Sequence, residues 1–131
     1  MSQSHLRVLI VDDMGTMRKL VMRSCKEMGF SQFTEAVDGA QGWQQVAESA
    51  APFDLIISDW NMPNATGLDL LKRVRADGRF KATPFILLTA ETEMSQVQEA
   101  LKAGVSAYVL KPFTTDSLRT KVDDVLKKKA A

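Results

Sequence analysis

The chain contains a single cysteine and a single histidine in 131 residues. Cys25 therefore has no partner for an internal disulfide, and His5 alone supports neither a Ser-His-Asp arrangement nor a histidine-rich metal cage. No apolar run approaches the ~20 residues that a membrane-spanning helix needs. Met1-Ser2-Gln3-Ser4-His5 is polar and lacks the charged start and apolar middle of a secretory leader, so a cytoplasmic protein without membrane insertion is expected. Charge of one sign is also missing. Seventeen Lys and Arg stand against 16 Asp and Glu, a formal charge of +1, too little excess to hold a phosphate backbone non-specifically, so nucleic acid is not an expected partner. Linkers and low-complexity tracts are absent, and the length predicts one domain over 1–131.

What is present is a regular alternation. Strand-like runs at 6–11, 33–37, 53–58, 84–89 and 106–110 alternate with amphipathic helical patterns at 15–28, 39–49, 67–76, 93–103 and 115–128. Five β-α units predict an α/β fold: a flavodoxin-like, doubly wound (βα)5 domain with a five-stranded parallel sheet covered on both faces. The runs at 8–11, 55–57 and 85–88 are continuously apolar, as strands buried on both faces must be, whereas Phe33-Thr34-Glu35-Ala36-Val37 alternates and reads as an edge strand. Right-handed crossovers then favour the order 2-1-3-4-5, with the switch point between strands one and three. Gly29 and Gly104 follow helical patterns and are placed to close them in the left-handed conformation. Thr66 and Asp38 are placed to cap helices. Cys25 shares an apolar helical face with Met17, Leu20, Val21 and Met28 and reads as a core thiol. Lys127-Lys128-Lys129 reads as complementing a helix dipole rather than binding a membrane.

Polar residues close the apolar runs. Asp12 and Asp13 follow Val8-Leu9-Ile10-Val11, Asp59 follows Leu55-Ile56-Ile57-Ser58, Thr89 follows Phe85-Ile86-Leu87-Leu88, and Lys111 follows Ala107-Tyr108-Val109-Leu110. Parallel strands present their carboxyl ends to one crevice, so these five residues are expected to meet. Clustered carboxylates repel one another, and Mg2+ relieves that repulsion with one or two direct protein carboxylates, for which Asp13 and Asp59 suffice, Asp12 acting through water. Phosphoryl transfer is accelerated mainly by positioning and charge compensation. Asp59 fits the nucleophile that becomes an aspartyl phosphate, with Lys111 pairing one phosphate oxygen and the Thr89 hydroxyl another. Drawing Thr89 inward would leave room for Tyr108 to rotate and so alter the surface around the last two strands.

These residues carry a resemblance to a known family. Val11-Asp12-Asp13 with Thr16-Met17-Arg18, Ser58-Asp59-Trp60-Asn61-Met62-Pro63-Asn64, Gly67-Leu68 with Leu70-Leu71, Arg75-Ala76-Asp77-Gly78, Thr89-Ala90-Glu91 and Lys111-Pro112-Phe113-Thr114 resemble bacterial response-regulator receiver domains nearly end to end, and among them the single-domain chemotaxis receivers of the CheY family. That family itself illustrates the 2-1-3-4-5 order, so the agreement is not independent support. The resemblance implies magnesium at Asp13, Asp59 and the Asn61 carbonyl with Asp12 in the outer shell. It also implies phosphorylation of Asp59, a phosphoryl contact from the Ala90 N–H, a switch pair Thr89 and Tyr108, and tuning of acyl-phosphate hydrolysis by Asn61 and Glu91. The Lys111-Pro112 bond resembles one that is cis in the family.

Implied partners are a chemotaxis sensor histidine kinase as phosphodonor, the flagellar motor switch protein as target, and a phosphatase. The implied protein is a monomeric signalling phosphoacceptor, not an enzyme beyond its own phosphorylation and autodephosphorylation. Ala65-Thr66 departs from the usual Met-Asp. Glu93-Met94 stands where lysines are typical and reverses the charge of the expected output face, whereas Lys121 agrees with the pattern. Another chemosensory pathway or a phosphate sink is the nearest alternative. A haloacid-dehalogenase-type phosphatase needs a second acid two residues beyond the nucleophile, where this chain has Asn61, and a flavin carrier needs a Ser/Thr/Gly-rich loop after strand one that is missing.

Overall fold

Strand and helix alternate five times along the chain, as the hydrophobic periodicity requires: β1 Arg7–Val11, α1 Gly15–Glu27, β2 Gln32–Ala36, α2 Gly39–Glu48, β3 Leu55–Asp59, α3 Gly67–Ala76, β4 Phe85–Thr89, α4 Met94–Lys102, β5 Ala107–Leu110 and α5 Thr115–Ala130. This computed structural model describes residues 4–90 and 94–130. The strands form one parallel sheet in the order β2-β1-β3-β4-β5, as expected. β2, the alternating strand, lies on an edge, and the continuously apolar β1, β3 and β4 fill the centre.

Alternation along the strands divides the core in two. Leu9, Val11, Ile56, Phe85 and Leu87 pack with Val46, Leu70, Leu71, Val74 and Ala100 from α2, α3 and α4. Val8, Ile10, Leu55, Ile57, Ile86, Leu88 and Val109 pack on the other face with Val21 and Cys25 of α1 and Leu118, Val122 and Val125 of α5. Burial pushes the Cys25 thiol up to about 12, so it stays protonated and inert as a core residue. Leu20, expected on the same stripe, is instead half exposed. One residue from Val21 is a 100° turn of the helix, which carries Leu20 off the stripe and onto a groove shared with Met17, Pro112 and Phe113.

Helix ends follow the expected chemistry. Gly29 closes α1 with φ 102° and Gly104 follows α4 with φ 91°. Thr66 caps α3 through a reciprocal capping box: its hydroxyl accepts from the Asp69 N–H at 3.1 Å, and the Asp69 carboxylate accepts from the Thr66 N–H at 3.0 Å. Asp38 caps α2, accepting from the Gln41 N–H at 2.7 Å, and also accepts from the Asn64 amide at 2.8 Å. That second bond ties the loop after β3 to the start of α2. The Gln41 and Asn64 donors together hold the Asp38 carboxyl below its ordinary range.

Gly67 brings the start of α3 against the end of β3. Its N–H donates to the Trp60 carbonyl at 2.9 Å, and a Cβ there would run into the Asp59 carbonyl oxygen and, at 2.8 Å, the Leu87 side chain. Because the obstacle is backbone, it cannot rotate away. We predict that Gly67→Ala lowers stability in urea denaturation by about 3 kcal/mol; an unchanged midpoint would show that the strand end yields without cost.

Candidate functional site

Alternation sets which side chains share a face at the carboxyl edge of the sheet. Asp59 continues the Leu55-Ile57 row, Asp12 the Val8-Ile10 row and Lys111 the Ala107-Val109 row, all on the face covered by α1 and α5. Thr89 continues the row of Leu87, which pairs with Tyr108, and itself pairs with Leu110, so Thr89 and Tyr108 belong to the opposite face. The five residues expected to meet therefore divide into an acid-and-lysine group and a hydroxyl group, on two sides of one strand edge.

The acid-and-lysine group is tightly assembled. Lys111 Nζ donates to Asp59 Oδ1 at 2.7 Å and lies 4.0 Å from Asp12 Oδ2. The Trp60 N–H also donates to Asp59 Oδ1, at 3.0 Å, so both bonds fall on one oxygen of the carboxylate. Asp12 is buried, Asp13 is exposed, and carboxylate oxygens of Asp12, Asp13 and Asp59 lie within 4.8 Å of one another. Burial raises the Asp12 pKa above its ordinary value; the Met14 N–H, which donates to its Oδ1 at 2.9 Å, opposes this, the Asp59 carboxylate raises it, Lys111 lowers it and Asp13 raises it.

This donor set fits magnesium. Three hard carboxylates against one ammonium leave two uncompensated negative charges, the charge of one divalent ion. Asp12 Oδ2 is buried with no hydrogen-bond partner among the described residues, an orphaned acceptor of the kind that an ion or its bound water satisfies. Soft ligands are absent from the cluster, which disfavours zinc or copper.

The remaining expected residues are placed less uniformly. Thr89 is already interior, at 1 % exposure, while Tyr108 is half-buried against the core that contains Leu87. Ala90 and Asn61 are exposed at the rim, Asn61 two residues beyond Asp59. Glu91 and Glu93 lie outside the described residues, and the Lys111-Pro112 bond is cis. Lys121 is exposed and lines a shallow groove with Tyr108, Leu110, Pro112 and Ser117.

Two contacts escaped the reading of the sequence. The Trp60 N–H on Asp59 is a backbone donor and leaves no trace in residue type. Arg18 donates through Nη1 to the Asp12 carbonyl at 2.8 Å and through Nε to Glu35 at 2.8 Å. A signal for it existed: a cation in the first turns of a helix opposes the dipole and needs a local acceptor.

Comparison with known proteins agrees with this geometry. The family described as "Response regulator receiver domain" matches residues 8–123. Chemotaxis protein CheY1 of Helicobacter pylori is 42% identical over 92% of this chain and 97% of its own. Chemotaxis protein CheY of Pseudomonas aeruginosa is 41% identical over 94% of this chain and 98% of its own. Among solved structures, the chemotaxis response regulator CheY4 of Vibrio cholerae superposes with a TM-score of 0.82 at 33% identity, covering 92% of this chain and 98% of that one. With the sheet order, the strand-edge acids and the matched span all in agreement, the chain belongs to the response regulator receiver domain family.

Proposed function

We propose that the chain, as one receiver over 1–131, is a chemotaxis phosphoacceptor: it takes a phosphoryl group from a sensor histidine kinase onto Asp59 and signals by changing the surface around Tyr108. The observation that carries this reading is the 2.7 Å Lys111–Asp59 contact beside two further carboxylates. Both donors to Asp59 engage Oδ1, which leaves Oδ2 as the attacking atom. Oδ2 bonds to phosphorus, the phosphorus–nitrogen bond of the phosphohistidine breaks, and the imidazole leaves with the electron pair. Lys111, at the end of β5, pairs a phosphoryl oxygen, and the Thr89 hydroxyl and Ala90 N–H take the others.

Asp13, Asp59 and the Asn61 carbonyl would hold magnesium, with Asp12 in the outer shell. The ion supplies charge compensation at the phosphoryl oxygens. Exposed Asn61, together with Glu91, is assigned to tuning hydrolysis of the acyl phosphate. Movement of Thr89 toward the phosphoryl group would shift packing on its own face of the sheet, where Tyr108 sits half-buried. The groove formed by Tyr108, Leu110 and Lys121 is then the output surface, with the flagellar motor switch protein as its partner, a reading consistent with relatives named as chemotaxis proteins. Glu93 and Met94 stand where lysines are typical, so the charge expected to meet that partner is reversed.

With magnesium and acetyl phosphate, intact-mass spectrometry is expected to show one added phosphoryl group on the wild type and none on Asp59→Asn; a wild type that never gains mass overturns the reading. Lys111→Ala is expected to accept phosphate but to lose phosphorylation-dependent capture of the switch protein. Capture that ignores phosphorylation in the wild type removes the motor as target.

The raised Asp12 pKa yields a stability prediction. A carboxyl with a raised folded pKa favours the folded state when protonated, and that contribution is lost as pH rises through the folded value. In chelator at neutral pH, Asp12→Asn should therefore melt above the wild type. Its advantage should shrink on acidification through the Asp12 titration or on adding magnesium; an advantage independent of both would place its origin outside the carboxylate cluster.

A further inference from the structure

Asp12 has four polar groups to place, and three are tied down. Its N–H donates to the Ala36 carbonyl of β2 at 3.0 Å, its carbonyl accepts from Arg18 at 2.8 Å, and its Oδ1 accepts from the Met14 N–H at 2.9 Å. Oδ2, 4.0 Å from Lys111 Nζ, is buried and has no hydrogen-bond partner among the described residues. Of the three ties, the one from Arg18 reaches across from a helix. Arg18 is anchored in turn by Glu35, at 2.8 Å on the neighbouring strand, so its guanidinium spans the end of β1 and the end of β2 like a brace. The side chain is mostly covered, at 19% exposure, whereas Glu35 is open to solvent at 45%. An arginine fork suits this bridge, because its donors are fixed in one plane and can serve two acceptors at once.

We propose that Arg18, held by Glu35, is a positioning residue that fixes the turn between β1 and α1 so that Asp12 and Asp13 face magnesium, and that it thereby sets the affinity of the acidic pocket for the ion. The inference rests on the receiver reading above. It opposes the simplest electrostatic expectation: a cation close to a cation site repels the ion, so removing the guanidinium charge should tighten binding if charge alone mattered. Bracing predicts the reverse, because ligands released from their outer partners lose affinity. The sign of the change therefore separates the two explanations.

The test is titration of Trp60 fluorescence with magnesium chloride alone, in the full chain, with folding checked by circular dichroism and thermal melting. Trp60 directly follows Asp59 and its backbone N–H donates to the Asp59 carboxylate, so its buried indole reports from the residue adjoining the site. Arg18→Met keeps the apolar stem and removes the fork; it is expected to weaken the magnesium Kd by about tenfold, in the range seen when outer partners of metal ligands are lost. Glu35→Ala should weaken it in the same direction, while Glu35→Gln, which keeps an acceptor, should stay near the wild type. At saturating magnesium, the phosphorylation rate of Arg18→Met with acetyl phosphate should return to the wild-type value, since the brace acts on affinity rather than on the reacting atoms.

A folded Arg18→Met that binds magnesium as tightly as the wild type, or more tightly, overturns the inference and leaves the receiver reading intact. Should Arg18→Met fail to fold, Glu35→Ala decides alone, an unchanged Kd again overturning the brace. A wild type with no magnesium response at all overturns both.

Discussion

Repulsion among three carboxylates held at the edge of a parallel sheet is the constraint around which this molecule is arranged. Two unit charges about 4.8 Å apart repel by roughly 3 to 4 kcal/mol at an effective dielectric near 20. The Lys111 ammonium offsets part of that for Asp59 through a 2.7 Å contact, but its 4.0 Å separation from Asp12 leaves the buried Oδ2 without a hydrogen bond. Burial and the neighbouring acids act on Asp12 in the same direction, which is why its pKa rises although the Met14 N–H pulls the other way. A site left two charges short of neutrality and rich in hard oxygen has its complement in a divalent cation.

The scaffold maintains this arrangement through backbone bonds more than through side chains. Asp12 is pinned by the ladder to β2, Asp59 by the last register position opposite Leu88, and the loop after Asp59 by the close approach of Gly67 and the Asp38–Asn64 bond. Because the central strands are buried on both faces, the acids at their ends have little freedom to separate and relieve their repulsion. Burial of the core thus sustains an electrostatic strain that the sheet edge alone would not hold.

Much of this was legible in the chain itself. Continuous apolar runs, one alternating run and regularly spaced helical patterns are direct consequences of burial on two faces or one, and they yielded the element order, the edge strand and the sheet order. The site was legible for the same reason: a polar residue closing an apolar strand is placed by the strand. Element ends shifted by a residue or two, as at β3, where Asp59 belongs to the strand rather than following it, because the ladder to Leu88 extends one residue past the apolar run. Leu20 was misplaced because a helical stripe has flanks, and residue type does not say which flank is covered. The Trp60 donor was not legible, since it begins from the main chain, and Arg18 left only the signal of a cation early in a helix, because its acceptor on Asp12 is a carbonyl whose position the folded backbone fixes.

The division of the core into two clusters has a consequence for how such a protein diverges. Asp12, Asp59 and Lys111 stand on the side of α1 and α5, while Thr89 and Tyr108 stand on the side of α2, α3 and α4, with a wall one strand thick between them. Substitutions around Tyr108 on the second side can alter that face without displacing Asp12, Asp59 or Lys111 on the first. One face of the sheet edge is thereby free to vary in shape while the charged groups on the other keep their spacing.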